Sequence, residues 1–273
     1  MRHVSPIERL EPRRHLDSTL DSDGVLRVIG TGGDDVITFE RGFSNGQHTV
    51  LVHINDDDTD TWNRRGIREI HIDGASGADQ IILGSVDVRS YLKGGRGNDS
   101  LSGGAGPDTL DGGPANDYLF GGGDDDRLIG GGESDLLLGG DGLRDTADYS
   151  ARTRDLDIDI SGHDADDGEA GEADSVHADI EIILAGSGHD QLGVSSGTRC
   201  TMFGGAGDDT FHGGRAINVF VGGPGKDRAF GYDGNDVFYF EDGEADTLDG
   251  GAGEDSMDAD NDIDVTTGIE NNI

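Results

Sequence analysis

The stretch whose reading decides the fold runs from Gly94 to Leu138: GGRGNDSLS, GGAGPDTLD, GGPANDYLF, GGGDDDRLI and GGGESDLLL, nonapeptides laid end to end. Each opens on a glycine pair and carries an aspartate at its sixth place: Asp99, Asp108, Asp117, Asp126 and Asp135. The eighth place holds Leu101, Leu110, Leu119, Leu128 and Leu137. A fixed short period is the signature of a solenoid, whose units bury their apolar face only against one another. Glycine permits positive φ and close backbone approach. Aspartate supplies hard oxygens, and the leucine alone is suited to the interior.

The pattern returns as GGAGDDTFH from Gly204, GGRAINVFV from Gly213, GGPGKDRAF from Gly222 and GYDGNDVFY from Gly231. Looser copies start at Gly30 (GTGGDDVIT), Gly74 (GASGADQII), Ala185 (AGSGHDQLG) and Gly250 (GGAGEDSMD). Tandem copies in two blocks are not an accident of a glycine-rich composition.

These residues resemble the repeats-in-toxin (RTX) family of hemolysin-type calcium-binding proteins. The resemblance implies an all-β fold, a right-handed parallel β-roll with two nonapeptides per turn and calcium ions in the loops between turns. It carries over to the matching sixth-place acids as metal ligands: Asp99, Asp108, Asp117, Asp126, Asp135, Asp190, Asp209, Asp227, Asp236 and Asp255. The chain departs from the pattern at Asn218, which replaces the acid, and at Ala229, which replaces the larger apolar plug. Ala115 and Glu133 replace a loop glycine. Calcium is expected to be weaker or absent at those turns.

Charge leads to the same place. The chain of 273 residues has a formal net charge of −37 and 49 glycines, and only 32 % of it is hydrophobic. So little apolar surface does not offset the entropy of ordering the backbone. In an 18-residue turn Asp99 stacks on Asp117, Asp117 on Asp135 and Asp108 on Asp126, at about the 4.8 Å spacing of paired strands. Bare carboxylates at that spacing repel. Ca²⁺ takes 6–8 oxygens, backbone carbonyls included, so several calcium ions are expected as a requirement of folding. Zinc is disfavoured, because the repeat offers neither sulfur nor imidazole.

The acidity argues against nucleic-acid and anionic-membrane partners, which need basic stripes. No apolar run approaches the roughly 20 residues of a membrane-spanning helix. Cys200 is the only cysteine, which excludes an intrachain disulfide. It is read as a tolerated strand residue.

The expected organisation is a basic N-terminal tail (1–19), a wider β-solenoid cap with irregular repeats (20–92), a first roll (93–150), a β spacer with an acidic loop (151–184), a second roll (185–258) and a C-terminal capping strand (259–273). The tail has no apolar core of a secretory signal. Leu10-Glu11-Pro12-Arg13-Arg14-His15-Leu16 resembles the LEPR-type motif of surface or secreted proteins of planctomycete-like bacteria, which implies a sorting tag. Apolar alternation marks strands at 25–29, 36–39, 49–54, 67–72 and 156–160. The acidic loop with Asp164, Asp166, Asp167, Glu169, Glu172 and Asp174 fails the EF-hand template and reads as solvated.

Two G-x-S-x-G matches, at Ser44 and Ser195, lack the following helix that a nucleophile elbow needs. No catalytic residue is assigned. The reading is a non-enzymatic, extracellular or cell-surface calcium-binding protein with a structural or interaction role. One alternative is a hydrolase with its site in residues 20–92, where His48, His53, Trp62 and His71 are scattered. The other is a calcium-dependent adhesin. No protein or glycan partner is indicated.

Overall fold

The computed structural model describes residues 18–55, 58–160, 167–194, 197–259 and 263–272. The LEPR-like segment, Asp164, Asp166 and Ser195 lie outside them. Alternate strand residues share a face, so the sixth-place aspartate and the eighth-place apolar residue of each nonapeptide both turn inward while their neighbours turn out. Residues 18 apart then pair in parallel, Leu110 with Leu128 and Leu119 with Leu137. The result is a parallel β-solenoid of two faces with a single column of side chains from each. Among the described residues the only helix is the 3-10 turn Arg64–Gly66.

One face is a continuous 13-stranded sheet from Ser18–Leu20 to Asn271–Asn272. Its inward row passes Val28, Ile72, Leu92, Leu110, Leu128, Ala147, Ile183, Met202, Phe220, Phe238 and Met257. The two repeat blocks of the sequence therefore share one sheet, through Leu128, Ala147, Ile183 and Met202. The opposite face is split. An eight-stranded sheet ends at Ser175–Val176, and a seven-stranded sheet begins with Gly168–Glu169 and Leu156–Ile160. Ala229, small for a core plug, sits between Phe211 and Leu248 on the second of these. Phe240 reaches across from the long face to Phe211, with ring centroids 5.8 Å apart.

The N-terminal end of the split face is not parallel. Val36–Ser44, Gln47–Ile54 and Asp58–Asn63 form an antiparallel meander joined to the roll through the pairing of Ile37 with Ile81. Alternation locates the first two strands without giving their direction. The third, DTDTWN, has no apolar alternation to announce it; it is held by backbone pairing and by Trp62, whose Nε1 donates to Ser18 Oγ at 2.9 Å.

The loops show what the glycines are for. At Gly131 φ is +112°, and an added Cβ would lie 1.7 Å from the carbonyl oxygen of Gly113 in the turn before. Two places later Glu133 holds φ +79°, as Ala115 holds +93° one turn earlier. These non-glycine residues keep the left-handed conformation of the repeat, at a cost of about 1–2 kcal/mol each. Gly131→Ala is expected to destabilise the calcium-loaded chain by at least about 1–3 kcal/mol. Glu133→Gly is expected to stabilise it by up to about 1 kcal/mol, since relief of strain is partly offset by a freer unfolded chain. Denaturant titration of both variants in calcium checks the pair of signs.

Candidate metal centre

The parallel register brings the sixth-place acids into rows, and every rung is made the same way. The backbone N–H of one row residue donates to a carboxylate oxygen of the acid one turn later, Oδ1 of an aspartate or Oε2 of Glu181 and Glu270. On the first part of the split face the row is Asp35, Asp79, Asp99, Asp117, Asp135 and Asp174, each link at 2.8 Å. On the long face Asp108, Asp126, Asp145 and Glu181 follow one another. Further along the same face come Asn218, Asp236, Asp255 and Glu270. The last part of the split face carries Asp190, Asp209, Asp227, Asp246 and Asp264. All ten acids expected from the repeat pattern lie in these rows, and none is more than 4 % exposed.

The rows also hold acids that the nonapeptide pattern did not supply. Asp145 follows Asp126 by 19 residues, in a loop with one residue inserted. Asp174 follows Asp135 by 39, across the seam of the split face. Asp35 and Asp79 belong to loose copies visible in the sequence. Cys200 holds a rung on the long face, its carbonyl accepting from Val219 as Asn218's accepts from Val237. It is 1 % exposed, and burial pushes its thiol well up. Cys200 and Asn218 together interrupt the carboxylates of that face.

The second oxygen divides the acids into two kinds. In Asp79, Asp99, Asp117, Asp126, Asp135, Asp145, Asp209, Asp227, Asp236 and Asp255 Oδ2 is buried with no hydrogen-bond partner. A buried carboxylate oxygen left so is costly. Elsewhere the loop closes on itself. The N–H of Gly104 donates to Asp108 Oδ2 at 2.6 Å, that of Gly186 to Asp190 Oδ2 at 3.3 Å, and that of Gly214 to the Asn218 amide oxygen at 2.9 Å. Backbone conformation sets the difference. The residue at the second place has positive φ in each open loop (Ala75, Gly95, Gly113, Gly122, Gly131, Gly140, Gly205, Gly223, Tyr232, Gly251), and Gly104, Gly186 and Gly214 do not.

Most of the open oxygens lie beside a main-chain carbonyl. A Cβ on Gly112 would lie 2.4 Å from Asp117 Oδ2 and 2.6 Å from the carbonyl oxygen of Gly130; on Gly121 the same distances separate it from Asp126 Oδ2 and the Gly139 carbonyl. Only glycine leaves that space. Among the described residues no group of three or more His, Cys, Asp or Glu side chains converges. A cation here would take carboxylate oxygens from successive turns and main-chain carbonyls for the rest. An all-oxygen, irregular donor set suits calcium and not zinc or a tight octahedral magnesium.

At the seam the protein supplies its own positive charge. Asp174 Oδ2 accepts from the Tyr149 hydroxyl at 2.9 Å. Arg152 donates to the Gly131 carbonyl and lies 3.1 Å from Glu172 and 3.4 Å from Glu169, with Arg154 also on Glu169. The described part of the acidic loop is thus not solvated: Asp167, Glu169 and Asp174 are buried. Pairing with the two arginines and the tyrosine, invisible to spacing, draws in Glu169 and Asp174, while Asp167 accepts the backbone N–H groups of Asp159 and Val176.

Burial pushes the Asp117 carboxyl up to about 7 and those of Asp126 and Asp135 up to about 8, with neighbouring acids adding to it. Asp227 and Asp236 rise to about 7 for the same first cause. The unfolded chain keeps ordinary carboxyls near 4. The ion-free roll therefore holds protons that the unfolded chain has lost. Their stabilisation is complete below about pH 4, falls as pH rises above that and is gone above about pH 8. A cation entering the rows displaces them. In chelator the chain should therefore gain strand signal by circular dichroism as pH falls from 8 to about 5; identical spectra at the two pH values would contradict these shifts.

A family model described as the RTX calcium-binding nonapeptide repeat (4 copies) matches residues 93–128, 111–142, 201–216, 212–244 and 242–265. A search of curated proteins gives no match. The matched segments hold most of the open loops on both faces, in the first block and the second alike. Rows of buried acids, glycine loops and family match agree: residues 93–142 and 201–265 carry RTX calcium-binding nonapeptide repeats, wound into a parallel β-roll.

Proposed function

We propose that this calcium-binding structural protein works outside the cell or on its surface, as a β-roll that forms when calcium fills its rows. The observation that carries the reading is the set of buried Oδ2 atoms without partners, repeated turn after turn and in most turns beside a main-chain carbonyl. Calcium supplies what those oxygens lack. Asp99, Asp117, Asp126, Asp135, Asp209, Asp227, Asp236 and Asp255 are the proposed direct ligands. Asp108 and Asp190, whose second oxygens already accept backbone N–H groups, are the weaker ones at the heads of their rows. Extracellular calcium modules bind at about 10⁻⁴–10⁻³ M, a range in which the roll would form outside and stay open in a low-calcium cytoplasm. No helix among the described residues is long and apolar enough to cross a membrane.

The role is proposed to be structural and not catalytic. Ser44 ends the strand Val36–Ser44 in a tight hairpin with Asn45 and Gly46, both at positive φ, and pairs with Gln47. A strand, not a helix, follows it. His53 contacts Thr59 and Glu40, while His71 contacts Arg27 and Glu69, on separate strands. These groups do not form a nucleophile and base pair. The hydrolase reading would require turnover that Ser44→Ala abolishes. The adhesin reading adds only a partner to the first.

The test compares two ligands. Asp117 has an acid one turn before and one turn after it, whereas Asp190 has the Leu156 backbone before it and an acid only after. Asp117→Ala should lower both calcium stoichiometry and affinity by more than Asp190→Ala in isothermal titration. Equal losses would contradict the assignment, and magnesium filling the sites as well as calcium would contradict the choice of ion.

A further inference from the structure

The first carboxylate row does not begin where the recognised repeats begin at residue 93. It extends back through Asp79, in the loop between the strands Glu69–Asp73 and Gln80–Ile82. That loop has the backbone of a repeat loop although its sequence, GASGAD, has lost the second glycine. Ala75 stands at φ +74° and Gly77 at +131°, matching Gly95 at +108° and Gly97 at +119° in the turn that follows. The two loops are bonded to each other, Arg96 N–H to the Ala75 carbonyl at 3.1 Å and Gly77 N–H to the Arg96 carbonyl at 2.8 Å.

Asp79 is 2 % exposed, and its Oδ2 is a buried atom with no hydrogen-bond partner. It faces the same cradle as the repeat acids. A Cβ on Gly74 would lie 2.4 Å from Asp79 Oδ2 and 2.6 Å from the Gly94 carbonyl oxygen, the values found at Gly112 and Gly121. The row stops being open one turn earlier. Asp35 Oδ2 accepts from Thr31 N–H at 2.6 Å and from its hydroxyl at 3.0 Å, and Oδ1 accepts from Asn55 at 2.7 Å. Asp35 is therefore closed by the protein, as Asp174 is at the other end of the same row. Alanine at residue 75 thus keeps the strained left-handed conformation of an open loop.

We propose that Asp79 and Asp99, with the Gly94 carbonyl, hold a calcium ion outside the recognised repeats, and that this ion clamps the antiparallel N-terminal strands to the roll. The site rests on the calcium reading of the rows given above. Its position gives it a distinct effect, because Asp79 receives the N–H of Asp35, which leads directly into the strand Val36–Ser44. Filling the slot neutralises the acid that carries this junction.

Full-length chain, titrated with calcium alone, tests the site. Asp79→Asn should bind one ion fewer than wild type by equilibrium dialysis, and hydrogen exchange in calcium should quicken in residues 36–54 while residues 100–140 stay protected. Asp35→Asn should leave the ion count unchanged. Wild-type counts equal to those of Asp79→Asn overturn this site while leaving the repeat sites standing; a wild type that binds no calcium overturns the underlying reading instead. Should Asp79→Asn not fold, anomalous diffraction from calcium-loaded wild-type crystals decides. A peak between Asp79 Oδ2 and the Gly94 carbonyl supports the site, and its absence there alongside peaks at Asp117 and Asp126 overturns it.

Discussion

Every turn of this solenoid buries a carboxylate, and the rest of the structure is arranged around satisfying its two oxygens. One oxygen is answered by the backbone N–H of the preceding turn, which fixes the register of the strands without any side-chain partner. In the open turns the other has no hydrogen-bond partner, and in most of them it lies beside a main-chain carbonyl. Oxygen against oxygen in a dry interior is unfavourable unless a cation sits between them. Calcium is hard, takes many oxygens and tolerates irregular geometry, so it resolves this conflict in each open turn alike. In the repeat strands the apolar column adds mostly one residue per strand to the core, which is too little to hold 57 acidic residues against 20 basic ones.

Where no cation is called for, the chain shows other solutions to the same problem. Gly104, Gly186 and Gly214 keep ordinary φ and turn their N–H groups onto the second oxygen. Thr31 and Asn55 close Asp35, and Tyr149 closes Asp174 with Arg152 beside it. Cys200 replaces the acid altogether. These self-closed rungs fall at the heads and ends of rows and at the break on the long face. A single peptide orientation in the loop thus separates turns that need an ion from turns that do not.

The nonapeptide period made the fold and the ten repeat acids legible, because a rung needs only an aspartate 18 residues from the next. It also exposed the pairs Asp99 with Asp117, Asp117 with Asp135 and Asp108 with Asp126, all of which are bonded. Spacing failed where the loop length changed. One inserted residue displaced Asp145, and the seam between Ala147 and Ser175 hid Asp174 and the arginines that bury its neighbours. Strand direction in residues 36–63 was hidden for another reason: alternation of apolar residues is the same for parallel and antiparallel pairing. The continuity of the long face across both blocks was equally hidden, since it depends on Ala147 and Ile183, which sit in no recognisable repeat.

The central claim is that the roll depends on calcium between its turns. Far-ultraviolet circular dichroism of the purified chain at pH 8, first in excess chelator and then with millimolar calcium, tests it most directly. The account predicts a largely unstructured spectrum that converts to strand on addition of calcium and reverts when it is withdrawn. A chain with the same strand signal in chelator as in calcium would contradict it.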